Sequence, residues 1–156
     1  MSKRSRYRLS PLSQSDCKKG DHLYVHRFHK KAVQLILRWR GYTHHGIYIG
    51  NGEVVEFSGF ASGYGKGPIR IVDLEEFSDG FPIYRWSYDS YRGKLYPPDE
   101  VVARAHSQVG MRDYNVVAKN CENFANWCVT GRSMCRQVPT PVQKAVRHFH
   151  SWRFKE

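Results

Sequence analysis

The alternation of apolar and polar residues changes rhythm several times along the chain, and each change predicts an element. Leu23-Tyr24-Val25 follows Gly20-Asp21 and predicts a short strand. Two apolar runs, Gly46 to Gly50 (GIYIG) and Glu53 to Phe57 (EVVEF), flank Asn51-Gly52. An Asn-Gly pair between such runs is a strong hairpin signal, because both central residues of the tight turn need a positive φ. Ile69 to Val72 predicts a strand, Asp73 to Phe77 a helical turn ended by Asp79-Gly80, and Ile83 to Trp86 another strand. Pro97-Pro98-Asp99-Glu100 then opens a helix from Asp99 to Val109 that stops at Gly110, since prolines and acids suit the exposed N–H groups of a first turn. Tyr114 to Val117 predicts a short strand. Residues 121–130 predict a second helix, with Phe124, Trp127 and Cys128 at core spacing and Gly131 as its stop. Strands come first and helices later, which predicts an α+β fold: an antiparallel sheet packed with helices.

Three stretches fall outside this pattern. Lys30 to Arg40 (KKAVQLILRWR) reads either as a cationic amphipathic helix suited to a membrane interface or as a core element with a basic edge. Residues 58–68 (SGFASGYGKGP) form a Gly-rich connection without the spacing of a phosphate-cradling loop. Residues 141–154 are basic and weakly helical.

Charge divides the chain further. The formal net charge is +11, but residues 1–40 carry 11 Lys/Arg against 2 acids, residues 41–140 carry 10 against 11, and residues 141–156 carry 4 against 1. A near-neutral body is therefore bordered by basic ends. This gives a flexible basic segment at 1–18, one domain at 19–138 and a basic segment at 139–156. Basic ends suit an anionic membrane surface met peripherally, or nucleic acid, or simple solvation. No run reaches the roughly 18 apolar residues of a membrane span, and the N-terminus lacks the apolar stretch of a secretory signal. The expected setting is cytoplasmic, with reduced thiols.

Candidate chemistry centres on Cys121. It follows Asn120 at the mouth of a predicted helix, where unpaired N–H groups and the positive end of the helix dipole favour a thiolate. The same N–H groups can stabilise an oxyanion during acyl transfer. Cys128 reads as a small core hydrophobe, and Cys17 and Cys135 have no context that marks them. A nucleophilic Cys needs a base, usually a His oriented by a third polar group. His44 and His45 both qualify by spacing. In regular pairing around Asn51-Gly52, His44 lies near residue 59, and Glu56 faces away from it; a bulge or another register changes that. The other His residues, at 22, 26, 29, 106, 148 and 150, are scattered, and no CxxC pair is present, so neither a metal nor a cofactor is expected.

Three segments together resemble a known family: Gly20-Asp21-His22-Leu23-Tyr24, then Thr43 to Val55 (THHGIYIGNGEVV), then Asn120 to Ala125 (NCENFA). They are similar to the LRAT-like, or NC-domain, family of lecithin:retinol acyltransferase-like and phospholipase/acyltransferase proteins. Pro98 to Gly110 resembles the helix that precedes the Asn-Cys motif in that family. The likeness runs from about Lys19 to Gly131. It implies a circularly permuted, papain-like NlpC/P60 fold, with Cys121 as nucleophile and His44 as general base. Tyr48, Gly50 and Gly52 set that register and leave His45 at a variable position. Glu56 stands where the family has a second His, and Asn123 where it usually has a His. A carboxylate can orient an imidazole as the third member of a triad.

The expected function is cysteine-dependent acyl transfer or hydrolysis on a lipid ester such as a phospholipid, through a Cys121 thioester. Asn120, His45 and Tyr48 are the expected supporting residues. Two alternatives stand beside it: an amidase or peptidase of the NlpC/P60 type, and a catalytically altered binding module that uses its basic ends for nucleic acid, membrane or a protein partner.

Overall fold

The Asn-Gly hairpin forms the centre of the sheet. Strand β2 (Tyr42–Gly50) turns at Asn51 and Gly52, with φ of 52° and 78°, into β3 (Glu53–Phe57). The structure is a computed structural model, and it describes residues 10–27, 42–58, 67–112 and 120–136. Strand β1 (His22–Arg27) pairs with the far edge of β2, β4 (Ile69–Asp73) with β3, and β5 (Ile83–Arg85) with β1. Every pairing is antiparallel, in the order β4-β3-β2-β1-β5.

The hairpin departs from the regular pairing expected of it. Gly50 faces Glu53, but the register shifts between Gly50 and Tyr48, and beyond that point Tyr48 faces Val54, Ile47 faces Val55 and Gly46 faces Glu56. One extra residue on β2 makes a bulge, and Gly50 absorbs the distortion with a φ of 102°. Because side chains alternate with period two, this slip moves Glu56 onto the face that carries Gly46 and His44.

Helices cover the sheet as the apolar pattern requires. On one face Ile47, Val55, Phe57 and Ile69 pack against α2 (Pro98–Ser107) and α3 (Cys121–Thr130), through Val101, Val102, Ala105, Phe124, Ala125 and Cys128. On the other, Leu23, Val25, Tyr48, Val54 and Val72 pack with Ile83 and with Leu74 and Phe77 of the short helix α1 (Leu74–Ser78), which Asp73 caps. Helix α2 starts one residue earlier than expected and ends two residues earlier, at Ser107. Its end turns so that Gly110 N–H donates to Ile69 O, and Ile69 N–H donates to Met111 O. Within the stretch read as flexible, residues 14–16 form a 3-10 turn and Leu12 N–H donates to Ile83 O. The predicted elements at 30–40, 114–117 and 141–154, and most of the Gly-rich connection, lie outside the described residues.

Candidate active site

Helix α3 delivers Cys121. Asn120 is its N-cap: the side-chain oxygen accepts from Asn123 N–H at 2.9 Å, and Asn123 Oδ1 accepts in return from Asn120 N–H at 3.3 Å. This reciprocal box satisfies two donors of the first turn and fixes the point where the helix begins. Asn123 thus serves the cap. All ten residues of α3 are buried, so the helix is clamped on every side. Its far end closes at Gly131, in the left-handed region at φ 73°.

The Cys121 side chain is buried, its Sγ donates to Thr43 O at 3.9 Å, and its thiol lies close enough to the His44 ring to act on that ring's pKa. His44 Nε2 lies 2.6 Å from Glu56 Oε2, which leaves Nδ1 as the ring nitrogen for Cys121. Phe77 packs on the imidazole, with centroids 5.4 Å apart. Glu56 is itself 1% exposed. Its second oxygen, Oε1, accepts from Arg70 Nε at 3.1 Å and Nη2 at 2.9 Å. Arg70 also reaches Glu76 at 2.8 Å.

These contacts set the charges. Burial pulls the His44 pKa down, but its hydrogen bonds with Cys121 and Glu56, and their charges, outweigh that and raise it. Burial pushes Glu56 up, but His44 and Arg70 outweigh it and hold the carboxyl below its ordinary value. Glu56 is therefore ionised near neutral pH, and His44 Nε2–H donates to it. The lone pair of neutral His44 then sits on Nδ1, facing the thiol. Such an array can deprotonate a thiol and stabilise the resulting imidazolium.

The adjacent histidine takes the other face. His45 Nε2 lies 2.8 Å from Thr43 Oγ1, and Nδ1 lies 2.8 Å from His22 Nε2. His22 Nδ1 continues to Tyr88 O–H at 2.7 Å, and that hydroxyl donates to Asn126 Oδ1 at 2.8 Å. The last bond fixes the direction of the rest. Tyr88 oxygen accepts from His22 Nδ1–H, His22 Nε2 accepts from His45 Nδ1–H, and His45 Nε2 accepts from Thr43 O–H. Both imidazoles are neutral: burial pushes His22 down to about 3 and His45 well below its usual value. Tyr48, the remaining expected supporting residue, accepts Gly52 N–H on its hydroxyl at 3.0 Å and so braces the hairpin turn.

Comparison with known sequences gives the family. The family model for lecithin retinol acyltransferase matches residues 15–134. The chain belongs to the lecithin retinol acyltransferase family. Among curated relatives, human phospholipase A and acyltransferase 4 is 28% identical over 111 residues, covering 63% of this chain and 68% of the relative. Rat lecithin retinol acyltransferase is 29% identical over 83 residues, covering 53% of this chain and 32% of that relative. Both relatives are named for acyl transfer, which places this chain in a family that includes enzymes.

Several residues of the site escaped the sequence reading of this LRAT-family chain. Arg70 is opposite Glu56 in the β3–β4 register, but the long connection between those strands hides the pairing. Phe77 reads in sequence only as part of a helical turn. Cys135, which had no context in sequence, donates to the fully buried Glu122 at 3.0 Å and accepts from Asn120 Nδ2 at 3.3 Å. It therefore buttresses the residues on both sides of Cys121. Cys128 is the core residue expected, and burial pushes its thiol pKa well up.

Proposed function

We propose that this chain is a thiol-dependent acyltransferase and phospholipase A-like hydrolase acting on lipid esters. The observation that carries the reading is the buried His44 imidazole bonded to the Glu56 carboxylate at 2.6 Å, with the Cys121 thiol beside it at the mouth of α3. In the first step His44 Nδ1 takes the thiol proton and Cys121 Sγ attacks the ester carbonyl. Negative charge develops on the carbonyl oxygen at the N-terminus of α3, where N–H groups have no intrahelical acceptor. Collapse forms a Cys121 thioester, and the imidazolium gives its proton to the departing alkoxide. Water, an alcohol or an amine then attacks the thioester, again with His44 taking the proton, and the thiol is regenerated. Glu56 stabilises the imidazolium through both half-reactions.

The names and similarity of the relatives support the substrate class. The basic ends support work at an anionic lipid surface, reached peripherally; among the described residues no helix is long and apolar enough to cross a membrane. The test is release and transfer of a labelled acyl chain from phospholipid in mixed micelles. Activity should vanish in Cys121→Ala and in His44→Ala, with the fold intact by circular dichroism. Full activity in Cys121→Ala would end the proposal.

A further inference from the structure

Glu56 divides its two oxygens between two partners. Oε2 takes the His44 Nε2–H, and Oε1 takes a fork of two Arg70 N–H groups, at 3.1 and 2.9 Å. The carboxylate side chain is 2% exposed, while Arg70 is 38% exposed and anchored at its outer side by Glu76. A carboxylate so deeply buried beside a neutral imidazole has a strong tendency to hold a proton, because desolvation favours the neutral acid. Were Glu56 protonated, its O–H would donate to Nε2. The His44 proton would then sit on Nδ1 and point at Cys121, and the ring would be no base for the thiol. The tautomer of His44 thus depends on Glu56 remaining an anion when His44 is neutral.

Arg70 is the group placed to ensure this. A guanidinium is charged at every accessible pH, and its planar fork fits a carboxylate edge. The β3–β4 register places Arg70 directly across from Glu56, so no long side-chain search is needed to form the pair. The other groups around the imidazole do not supply this charge. Helix α3 presents the Cys121 thiol, α1 presents the Phe77 ring and, through Arg70, Glu76. Strand β1 places Val25 opposite His44, and neighbouring His45 is held neutral on the other face.

We propose that Arg70 is a positioning residue of the site, keeping Glu56 anionic and thereby holding His44 as the Nε2–H tautomer with Nδ1 open to Cys121. This rests on the reading of Cys121 as nucleophile and His44 as its base. The site then works as a line of four, Cys121–His44–Glu56–Arg70, in which only the first two touch substrate or reacting atoms.

The experiment is the pH profile of kcat/KM for ester hydrolysis by the full chain and by Arg70→Gln and Arg70→Lys. Loss of the guanidinium raises the pKa of Glu56 and of His44 together, so the acid limb in Arg70→Gln should move to higher pH by about one unit, an ordinary effect of removing one close charge. At neutral pH kcat should fall about tenfold with KM little changed, and Arg70→Lys should recover part of both effects. A profile that merely loses amplitude and keeps its midpoint would overturn the proposal and leave Arg70 a structural residue. Removing a partner from a buried carboxylate can unfold a domain, so nitrogen-15 NMR of the His44 ring in the unaltered chain gives a second readout. Protonated Nε2 and bare Nδ1 at pH 8 support the proposal, and a proton on Nδ1 overturns it. Absence of Cys121-dependent turnover in the unaltered chain would sink the acyl-transfer reading, while the NMR tautomer still decides the state of the His44–Glu56–Arg70 array.

Discussion

At the residue scale, the proposed chemistry depends on which nitrogen of one imidazole carries a proton. His44 bonded to an ionised Glu56 must bear it on Nε2, and Cys121 then meets a lone pair. Replacing the carboxylate by a neutral amide removes one of the influences that raise the His44 pKa. In Glu56→Gln the acid limb of the rate profile should therefore shift to lower pH, opposite to the shift expected for Arg70→Gln, and kcat should fall by roughly a hundredfold, a usual share for acid–base assistance. A pH titration of both variants under the same conditions checks the pair of signs. Equal signs would break the scheme. Cys121, His44 and Glu56 were legible in the sequence as candidates, but the contact between His44 and Glu56 was not. Counting evenly back from Asn51-Gly52 put the two on opposite faces. A single extra residue in β2 reverses that count, and nothing in GIYIG announces it except a glycine able to take a positive φ.

At the element scale, the bulged hairpin and the capped helix are what bring the residues together. The hairpin and α3 were visible from the Asn-Gly pair and from the spacing of Phe124, Trp127 and Cys128; the order of strands was not, because it is set by long-range pairing. Gly46 shows how tightly the hairpin is fitted beside His44. A Cβ there would stand 2.5 Å from a Val54 methyl and 2.9 Å from the Phe77 ring. Gly46→Ala should cost about 1–3 kcal/mol, the usual range for overpacking a filled core, and should displace the ring that packs on His44. Thermal melts read the first effect and the acyl-transfer rate the second; an unshifted melting temperature would mean that Phe77 has room to yield. At the other element, Asn120→Ala removes the cap of α3 and should cost about 1 kcal/mol. It should also lower turnover, since it loosens the turn that holds Cys121, and a chemical denaturation series beside the rate assay checks both.

At the scale of the whole molecule, the buried His22–His45 chain ties β1, β2, the segment after β5 and α3 into one body. It was not legible from sequence, where the two histidines are 23 positions apart and Tyr88 carries no signal. Its effect on stability has a definite sign. Folded His22 and His45 titrate far below their unfolded values, so their contribution is complete above about pH 6.5 and is lost as pH falls toward the folded value of about 3 for His22. The depressed Glu56 acts in the same sense, contributing above about pH 4.5 and losing that contribution as pH falls through its lower folded value. His44 opposes them: its contribution is complete below about pH 6.5 and is lost as pH rises through its raised folded value. The melting temperature should therefore drop steadily between pH 6.5 and 4, and His22→Phe should flatten that slope. A flat melting curve across this range in the unaltered chain would contradict neutral buried imidazoles.

Charge at this scale was legible from sequence, with 11 basic residues in the first 40, whereas the depth at which Cys121 lies came only with the fold. The most direct measurement joins the two: intact-mass spectrometry of the full chain after brief incubation with anionic phospholipid vesicles and quenching in acid. The predicted result is one added acyl chain per protein, mapped to Cys121 by peptide fragmentation, labile to hydroxylamine and absent in Cys121→Ala. An adduct that persists in Cys121→Ala, or turnover of phospholipid with no acyl group ever found on Cys121, would contradict a thioester route through this site.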